Sequence, residues 1–204
     1  TGRSDVTISF TGYDSPDIYC VDLSSGAGVM VDNIAMRGSS GTIFTRINSA
    51  QLQQMYSALN VELFILQFGG NVMPYVKTEQ ECFDYGRWFY SQLALLRRLR
   101  PSAAIIVIGP SDMSLKEKEH YITYPLLENV RDALKEATFR AGGAYWDMYE
   151  AMGGRNTMPS WVAADPPLAA ADYIHFSPRG ARLIGDMFYN ALIWEYQLYR
   201  KGRK

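Results

Sequence analysis

Asp172 and His175 stand three residues apart in "AADYIHFSPRG" (170–180), directly ahead of a stretch that reads as the start of a helix. Within a turn, that spacing lets the carboxylate accept from one ring nitrogen, fix the tautomer and stabilise the imidazolium. The other nitrogen is then free to act as a base. The same spacing also suits a histidine packed beneath the last helix with an aspartate capping a turn. Two further stretches supply donors. In "GGN" (69–71), Asn71 is set by two glycines after an apolar run and can aim its side-chain NH2 into a crevice. In "MRGSSG" (36–41), Gly38 offers a backbone N–H that a ligand can approach because no Cβ intervenes. Two donors aimed at one point form an oxyanion hole, where one donor is worth about 3–4 kcal/mol in the transition state. Taken singly, such glycine-rich turns are more often structural. His120, in the charged run "KEKEHY", reads as solvated.

These residues need strands and helices to position them. "VMVDNIA" (29–35), "ELFILQF" (62–68), "AAIIVIG" (103–109) and "AYWDMY" (144–149) are short, apolar and rich in β-branched or aromatic residues. That is the signature of strands covered on both faces. Helical periodicity fills the gaps. Leu52, Met55, Tyr56 and Leu59 form one stripe, and Thr78 with Glu81 forms a capping box that opens a long helix through Phe89 and Leu96. Leu127, Val130, Leu134, Ala137 and Ala141 form another stripe, stopped by Gly142–Gly143. Ser177 as N-cap and Pro178 at the first helical position open the last helix. This alternation predicts an α/β fold with an open parallel sheet in three layers. Ligands in such sheets gather beyond the carboxyl ends of the strands, where Gly38, Asn71 and the "PSDMS" of 110–114 all fall.

Residues 1–28 differ. "VTISF" and "IYCVDL" alternate like strands around the turn-rich "TGYDSPD" and lead through "SSGAG" with no helix between. They read as the tail of a β-rich module, and 29–204 as the α/β domain.

The 204 residues carry a net charge of −1, with 48% hydrophobic and 20% charged positions. Such a balance gives no electrostatic footprint for nucleic acid, and the terminal "RKGRK" reads as a solvated tail. No apolar run approaches the length of a membrane span. Cys20 and Cys82 are too few for a disulfide framework and lack metal-ligand spacing, so both read as buried thiols, with one disulfide left open. There is no G-x-S-x-G elbow, P-loop, dinucleotide fingerprint or H-E-x-x-H. Phosphate, dinucleotide and zinc chemistry thereby lose their best sequence support.

In order and type, Gly38, Gly69-Gly70-Asn71 and Asp172-Tyr173-Ile174-His175 resemble the last three of four blocks in the SGNH (GDSL-type) hydrolases. "VDNIAMRGSSG", "LQFGGNVMPY" and "IGPSDMS" look more narrowly like a secreted bacterial branch with a β-rich insertion between the first two blocks. The resemblance covers about residues 29–200. It implies a flavodoxin-like SGNH fold and a serine esterase cleaving acyl esters, often acetyl groups on carbohydrate. His175 would be the general base and acid, Asp172 its orienting partner, and Gly38 N–H with the Asn71 side chain the oxyanion donors. Ser39 would line the site, and Trp161 would wall a sugar, although packing is the commoner role of such a residue. The resemblance implies no metal or organic cofactor, an extracytoplasmic setting and a small-molecule or glycan ester as substrate.

The first block, Gly-Asp-Ser, occurs nowhere in the chain. Ser39 and Ser40 adjoin the oxyanion glycine without the family's strand-end geometry. Ser111 precedes Asp112 in reversed order on a different strand. The expectation is therefore a nucleophile upstream of residue 1, on a strand that belongs between the strand leading to Gly38 and the strand leading to Asn71. Two other readings stand beside this one: a catalytically inactive relative that binds glycan or acts as a scaffold, and an unrelated flavodoxin-like binding module.

Overall fold

The computed structural model describes residues 5–14, 18, 21 and 27–202, and divides the chain into two units after Met36. The described residues of the first unit form neither helix nor strand, and Val6, Ile8 and Phe10 are exposed. The expected strand at 6–10 is thus absent, and most of the one expected at 18–23 lies outside the described residues. The strand expected at 29–35 is also absent, and those residues belong to the first unit rather than opening the α/β domain. The physical reason is partnership. A strand persists only where a neighbour takes up its N–H and C=O groups. No described residue pairs with 29–35, and Val29, Val31 and Ile34 stay exposed.

The second unit begins with a loop and runs through α1 (Ser49–Ala58), β1 (Leu63–Gln67), α2 (Glu79–Leu99), β2 (Ala104–Ile108), β3 (Ser114–Glu117) and β4 (His120–Thr123). It ends with α3 (Leu127–Arg140), β5 (Ala144–Trp146), α4 (Met148–Ala151), α5 (Met158–Ala163) and α6 (Pro178–Gly202). Local chemistry accounts for the ends of these helices. Asn48 caps α1 by accepting from the N–H groups of Ala50 and Gln51. Thr78 and Glu81 close the capping box of α2. Gly142, at φ +71°, ends α3 as the N–H of Gly143 returns to the Thr138 carbonyl. The strand expected at 144–149 stops at Trp146, because the Asp147 carboxylate accepts from Glu150 N–H and starts a helical turn instead.

Strands β1, β2 and β5 form a parallel sheet in that order, with Leu63 opposite Ala104 and Ile106 opposite Ala144. Parallel pairing with helical crossovers is the predicted fold class. β1 pairs on one side only, and no described strand occupies its other edge. Its residues alternate: Leu66 is buried and Phe64 packs edge-on to Tyr56, whereas Leu63 and Ile65 remain 40% and 45% exposed.

The main core joins the sheet to α2 and α3 through Phe89, Leu93, Leu96, Val107, Leu127, Val130 and Leu134. Phe89 is fully buried, with Phe68 edge-on at 6.1 Å. Phe89→Ala is expected to lower unfolding free energy by about 3–5 kcal/mol, read from urea midpoints at constant slope. A second cluster gathers Ile108, Met148, Met158, Trp161 and Ile184 beneath α6. Cys82 is buried as expected, and Cys20 lies outside the described residues.

Candidate active site

Asn71 is delivered by the turn that follows β1. Gly69 adopts φ +114°, a conformation that side chains rarely take. A Cβ there would also sit 2.9 Å from Leu134 Cδ1 and 3.1 Å from Pro110 Cδ. The turn is therefore wedged between α3 and the segment after β2, and it continues as a single 3-10 turn, Gly70–Val72. From there Asn71 Nδ2 donates to the Ser39 carbonyl at 3.1 Å. That bond takes one of its two amide protons.

Gly38 is reached through this contact. It adopts φ +75°, and a Cβ would meet nothing within 4 Å. The glycine is required by backbone conformation, not by crowding. Its N–H finds no acceptor among the described residues. The loop around it is fixed from the far side. Tyr85 OH donates to the Ser40 carbonyl at 2.7 Å, and Thr45 N–H donates to Gln92 Oε1 at 2.9 Å. Burial pushes the Tyr85 phenol well above its ordinary value, so it stays a donor. Ser39 Oγ accepts from Gly41 N–H at 3.1 Å, which holds its hydroxyl within the turn.

Asp172 and His175 form the expected pair. Asp172 Oδ2 lies 2.8 Å from His175 Nδ1, while Oδ1 accepts from the N–H groups of Ile174 at 2.9 Å and His175 at 3.0 Å. Both side chains are exposed, so the alternative of a histidine packed beneath the last helix is excluded. Burial acts to raise the Asp172 pKa, but the His175 backbone N–H, the His175 ring and the Ile174 N–H outweigh it and hold the carboxyl below the ordinary aspartate range. A depressed carboxylate contributes stability above its unfolded pKa and loses it as pH falls through the folded value. Asp172→Asn is accordingly expected to lower Tm at neutral pH and to leave it unchanged at strongly acid pH, as thermal unfolding at the two pH values will read.

The loop holding this pair is closed on itself by Ala170 N–H donating to the His175 carbonyl at 2.8 Å. Ser177 Oγ accepts from Gly180 N–H at 3.2 Å and donates to the Pro167 carbonyl at 2.7 Å, so the predicted N-cap also pins the loop. A Cβ on Gly180 would collide with the Leu168 carbonyl. Gly180→Ala is expected to lower Tm and, by displacing the first turn of α6, to weaken the Asp172–His175 contact; calorimetry on the purified variant checks the first effect.

The segment after β2 joins the two halves. Pro110 touches the Gly69 turn, Gly70 lies against Met113, and Ser114 N–H donates to the Tyr173 carbonyl at 2.9 Å. Residues 110–114 thus contact both the turn that carries Asn71 and the loop that carries His175. Nothing among the described residues hydrogen-bonds His175 Nε2. Burial, then the charges of Glu81 and Glu79, raise the Cys82 thiol, which removes it as a nucleophile.

Of the two roles read for Trp161, packing is the one found. Trp161 is buried, its indole N–H donates to the Met152 carbonyl at 3.1 Å, and its ring leans on Phe176, so it packs the second core cluster rather than walling a sugar. Sequence reasoning also missed the β3–β4 hairpin against the histidine loop, which the charged run "LKEKEH" concealed.

No family model matches the chain. No curated protein sequence matches it. Among solved structures, that of a peptidoglycan O-acetylesterase superposes with a TM-score of 0.66 at 22% identity, over 80% of this chain and 45% of that one. Over that span the chain shares the α/β fold of the esterase structure. A GDSL-like lipase candidate from Parabacteroides merdae superposes with a TM-score of 0.49 at 14% identity, over 71% of this chain and 68% of that one. The chain therefore spans less than half of the peptidoglycan O-acetylesterase structure.

Proposed function

We propose that these residues form the base-and-oxyanion half of an extracytoplasmic ester hydrolase acting on acyl groups, acetyl above all, carried by a glycan. The observation that carries this reading is the Asp172–His175 pair, whose Nε2 has no partner among the described residues. The nucleophile is a serine on a strand of the same polypeptide that seats on the open edge of β1. The unpaired edge and the exposed Leu63 and Ile65 support such a cover, since parallel strands are ordinarily flanked and covered on both faces.

In this mechanism His175 Nε2 takes the serine hydroxyl proton as the oxygen attacks the ester carbonyl. Asp172 stabilises the imidazolium without itself becoming protonated. Charge gathers on the carbonyl oxygen, where Gly38 N–H and the second Asn71 amide proton meet it. Collapse of the tetrahedral intermediate breaks the C–O bond, and the imidazolium returns the proton to the departing alcohol. Water then repeats the sequence against the acyl-enzyme and releases the acid and the serine.

The test is to assay the longer polypeptide against p-nitrophenyl acetate and acetylated glycans, and to label it with a fluorophosphonate. Hydrolysis, with the label on a serine outside residues 1–204, is the expected result. Glycan binding without hydrolysis or labelling would establish the inactive relative instead.

A further inference from the structure

Asp112 is the one fully buried carboxylate among the described residues, and the proposed mechanism does not use it. Its Oδ1 accepts from Thr123 Oγ1 at 2.6 Å and its Oδ2 from Met158 N–H at 2.7 Å. Thr123 Oγ1 in turn accepts from Asn156 N–H at 2.7 Å, and Thr123 N–H donates to Asn156 Oδ1 at 2.9 Å. One carboxylate thus ties the end of β2, the last residue of β4 and the start of α5 together. Each oxygen of this buried carboxyl group therefore has a hydrogen-bond partner, as a buried polar group requires. What it anchors is a hairpin: β3 pairs with β4 in register from Ser114–Thr123 to Glu117–His120.

The hairpin reaches the histidine loop at two points. Ser114 N–H donates to the Tyr173 carbonyl at 2.9 Å, and the Tyr121 ring stacks on the Tyr173 ring at 3.5 Å, 7° from parallel. Tyr173 is the residue between Asp172 and Ile174, and its backbone stands at φ +60°. A bulky residue holds that left-handed conformation only where its surroundings impose it. The turn that lets Asp172 accept from both Ile174 N–H and the His175 ring runs through this residue.

We propose that the β3–β4 hairpin is a positioning device for the Asp172–His175 pair, with Tyr121 holding Tyr173 left-handed and Asp112 anchoring the hairpin from the core. Tyr121, Tyr173 and Asp112 are positioning residues, acting through the turn that carries the pair. The proposal takes from the previous section only that the pair is the acid–base element.

The test reads the pair directly in the 204-residue chain. The chain has two histidines, so His120→Gln leaves His175 as the sole imidazole. Ring nitrogen-15 shifts then report the fraction of Nδ1-protonated tautomer. Tyr121→Phe is expected to keep the native tautomer, because the stack needs only the ring. Tyr121→Leu is expected to mix the tautomers while retaining a cooperative thermal transition. Ser114→Ala is the control: its hydroxyl is buried without a partner, so its removal leaves both the N–H bond and the spectrum intact. If Tyr121→Leu does not fold, Tyr173→Gly, which tolerates the same φ but removes the ring, is expected to give the same mixing. An unmixed Nδ1–H tautomer in either folded variant overturns the proposal.

In the longer polypeptide, Tyr121→Leu is expected to lower kcat by about ten- to a hundred-fold at unchanged KM, and an unchanged kcat overturns it. These spectra require no hydrolysis. A longer polypeptide that cleaves no ester therefore overturns the function and leaves the positioning standing. Native spectra in Tyr121→Leu do the reverse.

Discussion

His175→Ala in the longer polypeptide is expected to lower kcat for ester hydrolysis by about 10²–10⁴, with KM for the ester little changed. That range is what a positioned general acid–base group supplies. Nδ1 is committed to Asp172 at 2.8 Å, so only Nε2 is available to take the serine proton and return it to the leaving alcohol. Removing the ring leaves the Gly38 and Asn71 donors in place, so a residual rate above water should persist. Asp172→Asn separates orientation from basicity. An amide at that position cannot stabilise the imidazolium, and it presents an N–H to one partner that needs an acceptor. It should reproduce much of the His175→Ala loss although the histidine is present. Steady-state kinetics on a chromogenic acetyl ester measures both. Full activity in His175→Ala would remove the pair from the chemistry altogether.

The parts of this molecule that were legible in the sequence are those whose physics is local. The capping box at Thr78 and Glu81, the glycine stop after Ala141 and the Ser177–Pro178 start each act within four residues, and each is found as read. The Asp172–His175 contact is equally local, because one turn encloses it. Apolar runs located β1 and β2 to within a residue at each end. The same kind of run at 29–35 made no strand, because a strand is defined by its neighbour and composition does not name one. Trp161 was misread for a related reason: its partner is the Met152 carbonyl, nine residues away in a turn whose path the sequence does not show. Asp112, Tyr121 and Tyr173 are tied across 11 to 52 positions, and the hairpin that joins them passes through a charged run without an apolar rhythm.

Asn71→Ala is expected to lower kcat about 10²–10³-fold while KM stays near its original value. The loss is specific to the transition state because the donor meets an oxygen that carries charge only there. Asn71 Nδ2 spends one proton on the Ser39 carbonyl, and that bond holds the other in a fixed direction beside Gly38. The direction is set before substrate arrives, since Gly69 jams the turn between Leu134 and Pro110. Preorganisation of this kind means no reorientation at the moment of reaction, which is the source of its value. Two comparisons make the assignment sharp. Asn71→Asp keeps the size but replaces a donor with a charge that repels the oxyanion and the Ser39 carbonyl, so it should be worse than alanine. Gly38→Ala places a side chain at φ +75° in open space, so it strains the backbone without a clash and should move its N–H. Under the proposed mechanism the two donors serve one oxygen, so the double variant Asn71→Ala with Gly38→Ala should lose less than the product of the single effects. Independent, multiplicative losses would mean that the two groups face different atoms.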